Sequence, residues 1–219
     1  MTIQEREQKA LDAYLRLIRG KGASVANLAR RKTLLERALP QLSGQTADGL
    51  AYREVIDEAL LHTPREDWPF FLAVTREYYY FWVDDFKAIA ALNSSDGFVM
   101  EAAAAYVRNE ESFKQIWKRL DDEKFGVAEM WPLKAYKAAL REAGAEKSVM
   151  ETREKLVKLL LIDLREVEDK NGKTYRVAVD ALQPLFVMKE TRYLFLAVVR
   201  EFYYFWIGDP DAASHILLE

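Results

Sequence analysis

The sequence predicts an all-α protein, a helical bundle built from two duplicated four-helix units related by a pseudo-twofold axis. Its 219 residues include only nine Gly and six Pro, and 31% of them are charged, which is typical of helical proteins. In most segments apolar residues recur at spacings of three and four, as the buried face of a helix requires. In addition, one aromatic stretch occurs twice, which indicates an internal duplication.

The repeated stretch reads FLAVTREYYYFW at 71–82 and FLAVVREFYYFW at 195–206, with ten of twelve positions identical at a shift of 124 residues. A weaker match pairs Ala13-Tyr14 with Ala135-Tyr136. Two repeats are too few for a solenoid, so we expect two units of about 70–75 residues packed face to face. The predicted divisions are a first repeat at 1–92, a helical linker at 93–130 and a second repeat at 131–219, all within one compact domain.

Three helices are predicted in the first 61 residues. The first begins at a capping box formed by Thr2 and Glu5 and ends near Arg19. The second covers 24–39 and stops at Pro40, because proline cannot donate the backbone hydrogen bond of a helix interior. The third covers 50–61, after a loop rich in turn-forming residues. A fourth helix is expected to begin near Pro64 and to carry the aromatic stretch as far as residue 92.

The linker is predicted to hold two short helices, at 98–108 and 111–120. The second repeat then follows the first in order, with helices that are predicted at 132–143, 148–167, 174–182 and 189–207 and a short helix after Asp209. Asn171-Gly172 is a turn signal that would also suit a β-hairpin within 164–182. We favour helix–turn–helix there, because the matching part of the first repeat has a helical pattern.

Several kinds of chemistry lack their residues in this chain. There are no cysteines and only two histidines, so disulfides, thiolate metal sites and a cysteine nucleophile are excluded. The chain has no Glu-x-x-His for a di-iron bundle, no nucleophile elbow and no phosphate-binding glycine loop. We therefore predict no catalytic residue, no metal site and no cofactor. The two histidines, His62 and His215, are expected at the surface or at helix ends.

The amino-terminal residues are charged, and no run of about 18 apolar residues could span a membrane. We expect a cytoplasmic protein that is not membrane-bound.

Charged pairs interrupt both aromatic stretches, as Arg76-Glu77 and Arg200-Glu201. A charge among apolar residues needs a partner or water. Neighbours in a helix point about 100° apart, so each Arg is not expected to pair with its adjacent Glu. Our hypothesis is a reciprocal pairing across the pseudo-twofold axis, Arg76 with Glu201 and Arg200 with Glu77. The alternative is that one Arg binds an anionic ligand.

The aromatic residues of the repeat are interpreted mainly as core, since five in succession point all round a helix. The alternative is an aromatic pocket for a flat ligand, and its candidate residues are Tyr78, Tyr79, Trp82, Tyr203, Tyr204 and Trp206.

A basic region precedes an acidic one. Residues 1–40 hold nine Lys or Arg and four Asp or Glu. Residues 41–130 hold nine Lys or Arg and 17 Asp or Glu. The cations of residues 16–37 could form one face that contacts nucleic-acid phosphates. Its candidate residues are Arg16, Arg19, Lys21, Arg30, Arg31, Lys32 and Arg37. An ordinary solvated helix face is the other interpretation, and a pI near 5.7 argues against nucleic-acid binding by the protein as a whole.

Taken together, the sequence favours a non-enzymatic helical protein that binds or scaffolds through protein–protein contacts. The first alternative is a subunit of a nucleoprotein complex that uses the basic face. The second is a ligand-binding sensor or enzyme with an aromatic pocket and the Arg-Glu pairs. A protein partner is expected, nucleic acid is the alternative partner, and association with further copies of the chain stays open.

Overall fold

The computed structural model describes residues 5–94, 97–101, 113–165, 167 and 169–218. Within these ranges all regular secondary structure is helical and no strand occurs, so the all-α prediction is confirmed. The α-helices are α1 Glu5–Gly20, α2 Val25–Leu42, α3 Gly49–Leu61, α4 Trp68–Trp82, α5 Phe86–Ser94, α6 Phe113–Arg119, α7 Val127–Glu142, α8 Lys147–Leu164, α9 Gly172–Leu182 and α10 Lys189–Ile207.

The chain divides into two compact units, unit 1 at Met1–Ala105 and unit 2 at Tyr106–Glu219. In unit 1, α4 packs against α1, α2, α3 and α5. In unit 2, α10 packs against α7, α8 and α9. Each aromatic helix is therefore the central element of its own unit, as its aromatic residues on several faces require.

Aromatic contacts in the two units correspond closely. Tyr52 meets Tyr79 edge-on at a centroid distance of 5.0 Å, and Tyr175 meets Tyr203 at 5.1 Å. The same hydroxyls donate to carbonyls of the aromatic helix, Tyr52 to Thr75 at 2.6 Å and Tyr175 to Val199 at 2.5 Å. Such edge-on packing suits the charge distribution of aromatic rings, and the hydrogen bond satisfies the buried hydroxyl.

Helix α2 does not stop at Pro40, as the sequence predicted, but continues to Leu42. The proline lies in the last turn, where its missing N–H removes a single helical hydrogen bond. Leu39 and Leu42 are both fully buried on either side of it. The burial of Leu42 offsets the lost bond, since a fully buried leucine side chain contributes roughly 1.5–3 kcal/mol.

The first aromatic helix is shorter than predicted, because it ends at Trp82 and α5 follows as a separate helix. Asp84 adopts a positive φ of 60°, which no helix interior permits. The N–H of Asp85 then bonds back to the carbonyl of Tyr80 at 2.9 Å. The turn therefore completes the end of α4 and redirects the chain into α5.

Helix α7 begins at Val127, five residues before the predicted start at Pro132. The carboxylate of Glu129 accepts the N–H of Gly126 at 2.5 Å and so caps the helix start. Pro132 lies in the second turn and is buried. Burial of Pro132 outweighs the one backbone hydrogen bond that a proline cannot donate, as burial of Leu42 does at Pro40.

The segment after α8 is helix–turn–helix, as favoured, and α9 covers Gly172–Leu182. The Asn171 side chain accepts the N–H groups of Lys173 and Thr174, both at 3.0 Å, and so starts the helix. Helix α8 ends at Leu164, three residues before its predicted end.

Two further predictions concern residues outside or next to the described ranges. The predicted helix 98–108 does not begin in the described residues 97–101, which are not helical, and the rest of it lies outside the described ranges. The capping residue Thr2 also lies outside them.

Candidate functional site: two buried tyrosine–arginine–glutamate clamps

The most unusual feature of each unit is a buried ion pair with a tyrosine. In unit 1 it consists of Tyr14 from α1, Arg31 from α2 and Glu77 from α4. We call these three residues the first clamp. In unit 2 the second clamp consists of Tyr136 from α7, Arg153 from α8 and Glu201 from α10.

In the first clamp, Arg31 is 0% exposed and Glu77 is 4% exposed. Arg31 Nη1 lies 2.5 Å from Glu77 Oε2. The Tyr14 hydroxyl donates to the same carboxylate oxygen at 2.7 Å and accepts a hydrogen bond from Arg31. The three side chains therefore satisfy one another in a dry environment, where an unpaired charge would be very costly.

The second clamp joins the same three groups. Arg153 Nη1 lies 2.5 Å from Glu201 Oε2, and the Tyr136 hydroxyl donates to that oxygen at 2.8 Å. Arg153 Nη1 also donates to the Tyr136 hydroxyl at 3.3 Å. Two copies of one sequence pattern thus place the tyrosine–glutamate and arginine–glutamate contacts at distances that agree within 0.1 Å, whereas the arginine–tyrosine contact is longer in the second clamp.

Each clamp holds one residue of a following non-helical segment by both of its backbone groups. Glu77 Oε1 accepts the N–H of Val99 at 2.6 Å, and Arg31 Nη2 donates to the carbonyl of Val99. In unit 2, Glu201 Oε1 accepts the N–H of Leu217 at 3.2 Å, and Arg153 Nη2 donates to its carbonyl at 3.0 Å. The clamp therefore reads a peptide backbone and needs no particular side chain.

The pKa shifts of the clamp tyrosines, Tyr14 and Tyr136, fit their role as hydrogen-bond donors to the glutamates. Burial, and then the neighbouring carboxylate, raise the pKa of Tyr14 well above its ordinary value, and the same two causes raise the pKa of Tyr136. Both hydroxyls therefore stay protonated and donate at any physiological pH. In each clamp the carboxylate has a protein partner on both oxygens, so the arrangement suits holding a peptide unit better than transferring a proton.

The clamps correct the predicted pairing of the repeated Arg-Glu residues. Glu77 and Glu201 are buried as expected, but their cations are Arg31 and Arg153 from the same unit. Glu77 faces α1 and α2, and Glu201 faces α7 and α8, whereas the Arg that precedes each Glu points away by about a quarter turn. Accordingly, Arg76 is only half-buried and Arg200 is exposed.

The candidate aromatic pocket residues are divided between core and rim. Tyr78, Trp82 and Trp206 are buried, whereas Tyr79, Tyr203 and Tyr204 are half-buried. An open groove of about 610 Å³ in unit 1 includes Trp82 in its lining, beside Arg6 and Phe86. Trp82 Nε1 is buried and has no hydrogen-bond partner among the described residues. The other five candidates do not line this groove.

The predicted basic face loses its central member, because Arg31 is fully buried in the first clamp. Arg30 is exposed but pairs with Asp67 at 2.6 Å and stacks over Phe70. Lys32 lies 3.7 Å from Glu36, and Lys21 donates to the carbonyl of Asn93. The remaining cations of the predicted face are exposed, and the described part of the chain supplies no ion pair for them: Arg16, Arg19 and Arg37.

Both histidines have local partners. His62 Nε2 lies 3.2 Å from Glu58 on the exposed side of α3, and His215 stacks on Tyr204 at 3.4 Å. Across the described ranges, no group of three or more His, Asp or Glu side chains is placed to hold a metal ion.

The clamps contain functional candidates that the sequence reasoning missed. Tyr14 and Tyr136 were matched as repeat positions, but Arg31 and Arg153, which share the same shift of 122 residues, were not. The held segments also repeat, as FVME at 98–101 and ILLE at 216–219, three apolar residues followed by Glu. The arginines match by identity, and the held segments could have been found by matching residue class instead of identity.

No protein-family model matches the chain, and neither the curated proteins nor the solved structures include a significant match. Among the helices of the described ranges, none combines the length and the apolar character needed to cross a lipid bilayer.

Proposed function

We propose that this is a non-enzymatic helical protein that acts through protein–protein contacts. The observation that carries the proposal is an apolar strip on the outer face of α7. Val127 and Trp131 lie one turn apart and are 86% and 76% exposed. Ala135 and Ala138 continue the strip along the same face and are also exposed. Exposed apolar side chains that form a contiguous patch typically mark an interaction surface.

The strip also suggests the character of its partner. Trp131 is the kind of residue that dominates binding energy when a partner covers it. Lys134 and Arg141 border the strip and are exposed, and no ion pair involves them among the described residues. A partner with an apolar centre and an acidic rim would satisfy both parts of this surface, with the rim charges governing association rate and salt dependence.

The test compares Trp131→Asp with Phe86→Asp, a matched control, since Phe86 is a 73% exposed aromatic residue in unit 1. Tagged wild-type protein is purified from its host with copurifying proteins, and complex formation is then measured with the purified partner. We expect Trp131→Asp to weaken that complex at least tenfold and Phe86→Asp to leave it unchanged. A complex that tolerates Trp131→Asp, or the absence of any stoichiometric partner, would refute the proposal.

The nucleic-acid alternative has less support. Of its seven candidate cations, Arg31 is buried, and Arg30 and Lys32 have acidic neighbours. The small-molecule alternative is supported by the groove beside Trp82 and by the buried Trp82 indole N–H, which has no hydrogen-bond partner among the described residues. Neither alternative has a feature as exposed and contiguous as the α7 strip.

The remaining predictions belong to the same proposal. They are a pseudo-twofold relation of two four-helix units, the divisions at 1–92, 93–130 and 131–219, and a cytoplasmic location. The recurrence of both clamps at equivalent repeat positions supports the duplication.

A further inference from the structure

We propose that the second clamp is a binding site for an extended apolar segment of another protein, which takes the place of residues 216–218. The inference rests on the proposed function, because it names a class of protein segment as partner, but it concerns a different surface from the α7 strip. Three observations carry it: recognition through the backbone, a hold on residues 216–218 that is weaker than the hold on 98–100, and the shared pattern of the two held segments.

Recognition by the clamp tolerates different side chains. The first clamp holds Val99 between Phe98 and Met100, and the second holds Leu217 between Ile216 and Leu218. Every side chain differs between the two segments. In both clamps, however, Oε1 of the glutamate accepts the N–H, and Nη2 of the arginine donates to the carbonyl. In peptide recognition by added strands, main-chain hydrogen bonds of this kind give affinity and flanking side chains give selectivity.

Unit 1 holds its segment more firmly than unit 2 does. Phe98 is 5% exposed, and Asn27 Nδ2 donates to the carbonyl of Met100 at 2.7 Å. In unit 2 the position equivalent to Asn27 is Val149, which offers no such bond. The side chains of Leu217 and Leu218 are 64% and 37% exposed. The segment 216–218 is therefore held by the two backbone bonds of Leu217 and by the half-buried Ile216, which packs against the core of unit 2.

An incoming segment would keep the buried ion pair satisfied. If residues 216–218 left without a replacement, Glu201 Oε1 and Arg153 Nη2 would each lose a partner in a largely dry site. This cost keeps the clamp filled and makes replacement more favourable than opening. The intrinsic segment competes at a high effective concentration, so external peptides are expected to bind weakly until it is loosened.

The experiment loosens the intrinsic segment without altering the clamp. Leu217→Pro removes the N–H that Glu201 accepts, and Ile216 already has the extended backbone that precedes proline, with φ −71° and ψ 125°. The probe is a fluorescein-labelled peptide with the sequence of residues 215–219, and its binding to the full chain is followed by fluorescence polarisation. We expect Leu217→Pro to bind it about tenfold more tightly than wild type, since a hydrogen bond to a charged group is worth about that factor. Leu217→Ala, which keeps the N–H, is the matched control and should resemble wild type.

A second probe changes the peptide and uses the same Leu217→Pro variant. N-methylation of the peptide at the leucine that corresponds to Leu217 removes the N–H and should weaken binding to Leu217→Pro at least tenfold. Equal binding of both peptides, or no gain for Leu217→Pro over wild type, would overturn the inference. Trp131→Asp in the Leu217→Pro background should bind the peptide normally, so the α7 strip and the second clamp can fail independently.

Discussion

The two units build the same clamp in different surroundings. In unit 1 the guanidinium of Arg31 is fully used, because its Nε also donates to Asn27 Oδ1 at 2.7 Å. In unit 2 Val149 replaces Asn27, and Arg153 Nε is buried with no partner among the described residues. The two units therefore share the contacts among tyrosine, arginine and glutamate, and they differ in the contacts that surround the arginine.

The outer faces of the two units differ more than their interiors. Trp131 on α7 corresponds to Lys9 on α1, which forms an exposed ion pair with Glu5 at 2.6 Å. A charged, solvated face in one unit is thus an apolar strip in the other. Because the buried clamps are alike and the surfaces are not, differences in binding between the units are expected to arise at the surface and in the held segments.

Loss of the clamp arginine should have the largest effect. Removing one partner of a buried ion pair leaves an uncompensated charge, so we expect Arg31→Met to lower the free energy of unfolding of unit 1 by about 3–5 kcal/mol. Arg153→Met should cost unit 2 about 1 kcal/mol less, because Arg153 Nε is already unsatisfied. Urea-dependent hydrogen exchange of α4 and α10 peptides reports the two units separately.

The matched control is the double variant Arg31→Met with Glu77→Met. It leaves no lone buried charge, so its loss should be clearly smaller than the sum of the two single losses. Simple additivity would show that the pair is not coupled, and equal losses in the two units would show that the Asn27 contact is unimportant.

A smaller effect is expected at the tyrosine that differs between the repeats. The Tyr78 hydroxyl donates to the carbonyl of Glu7 at 3.3 Å, whereas unit 2 has Phe202 at this position. Tyr78→Phe should cost unit 1 less than about 1 kcal/mol, since the bond is long. Phe202→Tyr should destabilise unit 2 by about 1–3 kcal/mol unless the carbonyl of Glu129, which corresponds to that of Glu7, accepts the new hydroxyl. Chemical denaturation of both variants measures these losses, and a neutral Phe202→Tyr would indicate that a partner exists.

The smallest effect is a pH dependence specific to unit 2. Burial raises the pKa of the Asp163 carboxyl from 3.8 to about 7. The corresponding position in unit 1 is Gln41, which does not titrate. Between these two pKa values the folded chain keeps a proton that the unfolded chain has lost, so stability falls as the pH rises from about 4 to about 7 and is then constant.

We expect Asp163→Asn to remove this slope and to stabilise unit 2 at pH 8 by about 1 kcal/mol, a value reduced because the side chain is partly exposed. Unfolding measured at pH 5 and pH 8 tests this. A wild-type slope that persists in Asp163→Asn would assign it to another group.

Much of the helical order could be predicted from local signals. Apolar spacing and turn residues predicted the bounds of α9 and α10 closely. Asn171 marked the start of α9, because its side chain caps the first N–H groups of that helix. The errors occurred where tertiary burial overrides local preference. Burial of Leu42 carries α2 past Pro40, and the positive φ of Asp84 ends α4 ten residues early.

The candidate site could be predicted only in part. A buried carboxylate demands a partner, so the sequence pointed correctly to Glu77 and Glu201 as the residues that need one. It could not identify that partner, because Arg31 looks like any other cation in the run Arg30-Arg31-Lys32. Helix α2 turns Arg31 inward and Arg30 outward, and helical phase is resolved only by packing.

By itself, the sequence determined the helical class, the repeat of the aromatic stretch and the position of both aromatic helices, since these follow from composition, periodicity and identity between distant stretches. Only the tertiary structure decided which cation pairs with each buried glutamate and which segment the pair holds. The reason is physical: a buried charge takes the partner that packing brings within hydrogen-bond distance, and that partner lies 46 residues away in the chain for Glu77 and 48 for Glu201.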